Sequence, residues 1–541
     1  MTGNALERPS PYSIGRADNM DDLLTGVGFG PWQFLSMLAV FCIQGSYSSQ
    51  HVATVFTNMP LNFRCLPSYN KESSNSTDYD NNCHHNYNTN SSHKNSMEVC
   101  RTFEYNTTVF HSTFTSEFNL VCEKAWLSNL YKTMGFTGVI VGCAFTGLGD
   151  KWGRVTILRV VTVLYVSSTL LVGLSTNVFV IIASRFVIGF CYEMLNGSAY
   201  TLMMEILPPH YRSPVGGIMS NIANTIFTLI TGGVSYFIRD WRILHLVLSF
   251  PIYLLVPIVL FLDKSPRWLI INNRTVEAIA VLEKAAKMNK SEFPEREKVV
   301  VLSKECVLKS SCKVHKTCCE KLYSKFATLK TLFGSPGMRI ISLIFPLASL
   351  LTANVYYTIP LNANNSSNPF LYIIIIGIAD IPPNLFAPFL MNKLGNINAG
   401  CVTYSITLLC LVSLVFVPES LWSVQYTFVI IAMMMISVNY MICYVMSSEL
   451  FPTVVRSAGF GIGAFCKHSG VLIASNLIDL AQIVNMIWLP NAVSAGCCLL
   501  ASLVIRLLPE TKGKFLCDTV EDVEHRRHGL KNKSFKYEHV Y

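Results

Sequence analysis

From residue 31 onward the chain alternates between apolar runs, each about 20 residues and long enough to cross a bilayer as a helix, and shorter polar breaks. The runs fall near 31–56, 130–149, 156–174, 178–204, 215–237, 244–262, 339–361, 370–391, 399–417, 422–447, 457–481 and 488–508. Helices this apolar on every side offer almost no polar face to water, which excludes a soluble globular core. The pattern predicts an all-α membrane protein with twelve transmembrane helices. Two long polar stretches, 57–128 and 263–338, divide the series. The expected organisation is a polar N-terminus over 1–29, a six-helix bundle over 30–262, a linker over 263–338, a second six-helix bundle over 339–508 and a tail over 509–541.

Composition agrees with this reading. The 541 residues are 51% hydrophobic and 14% charged, where a soluble chain carries about 25% charge. Residues 1–29 contain Glu7, Arg8, Arg16, Asp18, Asp21 and Asp22, too polar for the apolar core of a signal peptide. Basic residues near span ends stay on the cytoplasmic side. Lys151, Arg154 and Arg159 follow the second run, and the 263–338 stretch holds 15 Lys+Arg against 8 Asp+Glu. Both termini and 263–338 are therefore expected to be cytoplasmic, and 57–128 extracellular. Arg239 and Arg242, in a short turn on the opposite side, break the rule. The net charge of +9 follows from topology and calls for no nucleic acid.

The 57–128 stretch is rich in Asn, Ser, Thr and His and holds Cys65, Cys83, Cys100 and Cys122. In an extracellular loop these predict two disulfides, with three pairings open. Asn75, Asn90 and Asn106 begin N-glycosylation sequons there. Asn273 and Asn289 begin the same motif on the expected cytoplasmic side, so clustering in the Cys-bearing loop supports the first three. The loop histidines His84, His85, His93 and His111 read as solvated side chains. Cys306, Cys312, His315, Cys318 and Cys319 lack the spacing of a zinc site and read as reduced thiols. The sequence reading assigns neither metal nor cofactor.

One motif occurs twice. "EILPPHYRS" begins at Glu205 and "ELFPTVVRS" at Glu449, at the inner ends of the fourth and tenth runs, 244 residues apart. "GDKWGR" at 149–154 answers "MNKLGN" at 391–396, and "KSPRW" at 264–268 answers "PETKG" at 509–513 more loosely. A near-constant offset points to duplication of a six-helix unit. Such repeats place a substrate site at their midplane interface and work by rocking. Asp150, Arg154, Glu205, Arg212, Glu449 and Arg456 put opposite charges at the inner mouth. They are expected to act as a gate, with Glu205 facing Arg212, Glu449 facing Arg456, and pairs between the halves that break on switching. Asn392 and Asn396 replace two of these charges in the second half, where the gate is expected to be weaker.

On these residues the chain resembles the organic cation, anion and zwitterion transporters, solute carrier family 22, of the major facilitator superfamily. "GLGDKWGR", "RDWR" at 239–242, "KSPRWL" at 264–269, "ELFPTVVRS", "PETKG" and the loop-closing "FNLVC" at 118–122 are similar to that family's marks, over roughly residues 20–515. The family's loop often has six cysteines where this one has four. The resemblance implies a carrier of small organic ions, by uniport or exchange without ATP, in the plasma membrane. The partners implied are the small-ion substrate and the lipid bilayer; nothing fixes an oligomeric state. The absence of a Walker-type loop agrees. Two rivals are a non-transporting sensor or scaffold with the same fold, and a sugar-porter-like carrier, which would share the general motifs but not the loop. An enzyme is not expected, since no nucleophile–base pair is legible.

Ionisable residues inside spans are functional candidates by default. Glu193 stands in the fourth run, and Lys467 and His468 in the eleventh; Arg185 and Asp380 are also intramembrane, without a role that sequence can assign. By resemblance, cation carriers have an acid in the eleventh span and a Lys in the fourth. Here acid and base are exchanged, which favours an anion or zwitterion over a simple cation. Unperturbed, His468 would titrate near neutral pH. Tyr356 and Tyr357 match a family Tyr-Tyr pair, with Thr358 where glycine is expected. Pro360, Pro382 and Pro383 mark places where helices can break.

Overall fold

The structure is a computed structural model of the 541-residue chain. It describes residues 20–59, 61–66, 83–87, 96–100, 102–291, 300, 331–365, 368–452, 455–484, 486–512, 520, 521, 523 and 524. The chain forms twelve spans: α1 Pro31–Thr57, α2 Ala125–Cys143, α3 Arg154–Leu174, α4 Val178–Ile206, α5 Pro209–Phe237, α6 Trp241–Phe261, α7 Pro336–Leu361, α8 Pro369–Leu394, α9 Asn396–Phe416, α10 Trp422–Glu449, α11 Arg456–Ile483 and α12 Leu489–Ile505. α6 is interrupted at Ser249. α8 breaks at Asp380, where Pro382 and Pro383 remove donors from the following turn.

Among the described residues, α3, α4 and α6–α10 are long and apolar enough to cross a membrane by composition alone. α1 shows why some others are more polar. It buries Gln33, Ser36, Ser46, Ser48, Ser49, Gln50, His51, Thr54 and Thr57 against protein, so its polar atoms never meet lipid. Exposed apolar side chains such as Val160, Val163, Leu174, Phe237, Phe261, Leu385 and Phe416 give the rim a lipid-compatible face. Inside, one apolar core is built from residues between 23 and 285. The other is built mainly from residues between 332 and 523, with some from α1, α2 and α6. α2 and α4 approach closely: a Cβ at Gly138 would stand 2.1 Å from the Phe186 carbonyl oxygen.

The second span is Ala125–Cys143, earlier than the expected 130–149. Residues 144–147 turn, and a short helix Leu148–Trp152 ends at Gly153 with φ +90°. Its counterpart Gly395 has φ +86°, a region that only glycine enters freely. Trp268 lies against Gly153 and donates from Nε1 to the Asp150 carbonyl at 2.9 Å. Glu510 lies against Gly395 and accepts from the Asn396 and Ile397 amides. The loose third echo in the sequence is thus a real equivalence: each segment braces the corresponding glycine turn.

On one face, here the loop face, lies the Cys-bearing segment. Strands β1 Phe63–Leu66 and β4 Thr102–Tyr105 pair antiparallel, as do β2 His84–Tyr87 and β3 Ser96–Val99. Of the three pairings open from sequence, the structure has Cys65–Cys100 and Cys83–Cys122. Asn106 follows β4, its amide donating to the Asn62 carbonyl. Asn75, Asn90, His93 and the 306–319 Cys/His cluster lie outside the described residues. The opposite, terminus face carries helices Met20–Val27, Pro266–Ile271 and Thr275–Asn289.

Candidate functional site

α4 and α11 approach each other at Glu193 and His468, where intramembrane charges come together. Glu193 of α4 faces His468 of α11, with Nε2 3.4 Å from Oε2; both residues are buried. Lys467, one residue earlier and so about 100° around the helix, makes no direct ion pair with Glu193. Its Nζ lies 5.6 Å from the Tyr440 ring centroid, and it forms no ion pair among the described residues. A cavity is bounded by Lys467, Tyr440, Tyr444, Phe345, Phe460 and Thr352.

A second cavity is lined by Tyr47, His51, Asn224, Tyr356, Tyr357 and Asp380 among others. Tyr356 stacks on Tyr440 at 4.7 Å, and Tyr357 packs on His51 at 4.6 Å. Tyr47 stacks on Tyr192 at 3.7 Å, and the Tyr192 hydroxyl donates to Gln44 Oε1 at 3.0 Å. Thr358 is not among the residues lining this space; its hydroxyl donates to the Asn354 carbonyl of its own helix. Asp380 is a bridge between halves. Its carboxylate accepts from Thr225 at 2.9 Å, Ser437 at 2.5 Å and Tyr356 at 3.4 Å. Arg185 has no carboxylate among the described residues; its Nη1 donates to Gln50 Oε1 at 3.0 Å, and its guanidinium lies 4.6 Å from the Tyr131 ring centroid.

The loop-face half of the seam between the bundles is closed. Lys132 of α2 pairs with Asp479 of α11, and Thr133 donates to Asn476 at 3.4 Å. Phe370 of α8 stacks on Phe56 of α1 at 5.3 Å, and the Arg239 guanidinium lies 5.1 Å from the same ring. The two basic residues that broke the charge rule are held here. Arg239 donates to the Val109 carbonyl, and Arg242 binds Glu117 at 2.6 Å while donating to the Gly173 carbonyl. The Cys83–Cys122 bridge lies close to Glu117 in sequence and ties that segment to the loop.

At the terminus face the expected pairings are corrected. Glu205 does not face Arg212. It pairs with Arg154 at 2.7 Å, and Arg154 also reaches Asp150 at 2.9 Å. Arg212 instead binds Asp21 at 2.6 Å, and Asp21 also takes Arg267. The cause is helix direction: α4 ends at Ile206 and α5 starts at Pro209, so the turn between them points the two side chains apart. None of these pairs joins the two halves, contrary to expectation. In the second half Asn396 Nδ2 donates to Glu449 Oε2 at 3.2 Å, the Arg154–Glu205 contact with an uncharged donor. The Arg456 side chain lies outside the described residues. Tyr200 of α4 meets Tyr444 of α10 edge-on at 6.2 Å, a contact across the halves toward this face.

Sequence reasoning missed the participants that carry no charge, Gln44, Asn224, Tyr440 and Cys143, and could not assign Asp380. A polar residue in a span is a weak signal because α1 alone buries nine of them.

A twelve-helix chain with an intramembrane, charge-bearing seam between two bundles is a membrane transporter by architecture. The "Sugar (and other) transporter" family model matches residues 65–522. The chain is 29% identical over 433 residues to solute carrier family 22 member 6 of Pseudopleuronectes americanus, covering 80% of this chain and 75% of that one. It is 27% identical over 528 residues to an organic cation transporter protein of Drosophila melanogaster, covering 93% and 94%. A beta-alanine transporter of the same fly is 28% identical over 433 residues, covering 78% and 68%. Among solved structures, the E. coli xylose transporter in a partially occluded inward-open conformation matches with a TM-score of 0.61 at 15% identity, covering 92% and 100%. The chain belongs to the sugar and other transporter family and has the major facilitator fold. It is a membrane transporter, similar to members of solute carrier family 22.

Proposed function

We propose that the chain carries a small organic ion bearing a carboxylate, an anion or a zwitterion, across the plasma membrane by alternating access. The loop face is outside, and both termini are cytoplasmic. The carrying observation is the central charge arrangement: Glu193 is engaged by His468, while Lys467 lacks an ion-pair partner among the described residues and borders an aromatic-lined cavity. A cation in a low-dielectric cavity gains most from a counter-charge, and a substrate carboxylate would supply it. Tyr440, Tyr356 and Tyr357 would pack the organic body, and Glu193 would receive an ammonium group if the substrate has one. The state described is the one closed to the outside, because Lys132–Asp479 and the Phe56–Phe370 stack seal that side of the seam. The terminus-face pairs stay within one half and would hold that bundle's inner ends in shape while the bundles rock. Gating by Asp150, Arg154, Glu205, Arg212, Glu449 and Arg456 would then act through the shape of each bundle.

Uptake into cells expressing the chain tests this, comparing a fluorescent organic cation, a fluorescent organic anion and carnitine, each with Lys467→Ala alongside. Anion or carnitine uptake that the substitution abolishes, with surface expression kept, is expected. Cation uptake that survives Lys467→Ala would overturn the charge assignment.

A further inference from the structure

We propose that Cys143, Glu193 and His468 form a binding site for a borderline-soft divalent metal ion, Zn²⁺, which ties the two bundles together. The three come from α2, α4 and α11, and their ligand atoms all lie within 4.8 Å of one another. Thiolate, carboxylate and imidazole are the donors that Zn²⁺ takes, and three protein ligands with one open position is a common zinc geometry. Metal–ligand bonds of about 2.1 Å at the tetrahedral angle put two ligand atoms about 3.4 Å apart. The distance from His468 Nε2 to Glu193 Oε2 is 3.4 Å. That is long for a hydrogen bond between these atoms and correct for the edge of a coordination tetrahedron.

A second observation points the same way. Glu193 is 7% exposed, yet its Oε2 accepts no hydrogen bond. A buried carboxylate oxygen left in this way is costly, and a metal would satisfy it. Charge balance agrees: one thiolate, one carboxylate and a neutral imidazole offset a dication, and binding releases the thiol proton. Lys467 is the opposing group. Its ammonium stands toward Tyr440, but its charge is near enough to weaken binding without forbidding it.

Two ligands belong to the first bundle and one to the second, so a bound ion would staple the halves and stop exchange. That consequence, unlike binding itself, rests on the chain being an alternating-access transporter.

The test is a Co²⁺ titration of the purified full chain in detergent. The readouts are the visible d–d bands of tetrahedral Co²⁺, the thiolate-to-cobalt charge-transfer band and the thermal unfolding temperature. One equivalent should develop both absorptions, raise the unfolding temperature and be displaced by Zn²⁺. Cys143→Ser should lose the charge-transfer band, and His468→Gln should weaken binding by at least about 100-fold, more than the loss of a supporting outer ligand. Lys467→Gln should tighten binding. If Co²⁺ gives no thiolate band, or Cys143→Ser leaves the titration unchanged, the site is refuted. His468→Gln decides the matter independently should the serine variant fail to fold. Inhibition of uptake by Zn²⁺ is a separate arm: binding without inhibition would overturn the stapling consequence and leave the site standing.

Discussion

Replacing Lys132 with methionine should open the loop face. In the described state Lys132 and Asp479 form a pair whose side chains are only 13% and 6% exposed. Removing one partner of a buried pair costs about 3–5 kcal/mol, because the other is left as an uncompensated buried charge. The partial exposure places this site at the lower end, about 3 kcal/mol. That cost applies only where the seam is closed; once the bundles part, Asp479 is solvated and needs no partner. The closed-to-open equilibrium should therefore shift by about 100-fold, at about 1.4 kcal/mol per factor of ten. The assay is the labelling rate of Asn476→Cys, one turn from Asp479 in the same seam, by a membrane-impermeant maleimide applied from outside. Lys132→Met should raise the rate by that factor, up to the fully open limit. Adding Asp479→Asn should bring it most of the way back, since two neutral side chains leave no stranded charge. A rate unchanged by Lys132→Met, or a double variant as fast as the single, would refute the argument that this pair closes the loop face.

Two further outcomes follow from the charge clusters. A double-mutant cycle on Arg154→Ala and Glu205→Gln, read by thermal unfolding of the purified chain, should give a larger coupling than the cycle on Asn396→Ala and Glu449→Gln. The first pairs two opposite charges and the second a neutral amide with a carboxylate; equal couplings would contradict the asymmetry of the two halves. On the loop side, burial of Glu117 opposes its ionisation, but the Arg242 and Trp241 hydrogen bonds and the Arg242 charge outweigh it and lower its pKa. A folded-state pKa below the unfolded one gives stability that is present above the ordinary value of 4.5 and lost as pH falls below it. Acidifying the outer medium through that range should loosen the loop, measured by protease cleavage within 57–128. Arg242→Ala should flatten the pH dependence.

The number of spans, their order and the six-helix duplication were legible in the sequence. Each rests on local properties: about 20 apolar residues cannot avoid a bilayer, and a repeated Glu-x-x-Pro-x-x-x-Arg at a near-constant offset survives as text. The positions of Gly153 and Gly395 are of the same kind, because a left-handed backbone demands glycine wherever it occurs. Glu193, Lys467 and His468 were legible as exceptions, since charge inside a span is too costly to be incidental.

Who meets whom was decided by tertiary structure. Sequence proximity suggested Glu205 with Arg212, but the turn between α4 and α5 sends them to Arg154 and Asp21. Glu193 could have met Lys467 or His468; the facing of α4 and α11 chose the histidine and left the lysine on an aromatic ring. The three disulfide pairings were equivalent in the text; the folded loop joins Cys65 to Cys100 and Cys83 to Cys122. Lys132 and Asp479 are charges inside the second and eleventh runs, but nothing local pairs residues 347 positions apart, and nothing local sets Cys143 beside Glu193 and His468. Hydropathy and spacing are properties of one segment, so a sequence determines them alone; a contact between two bundles depends on the rotation and tilt of both, which only packing sets.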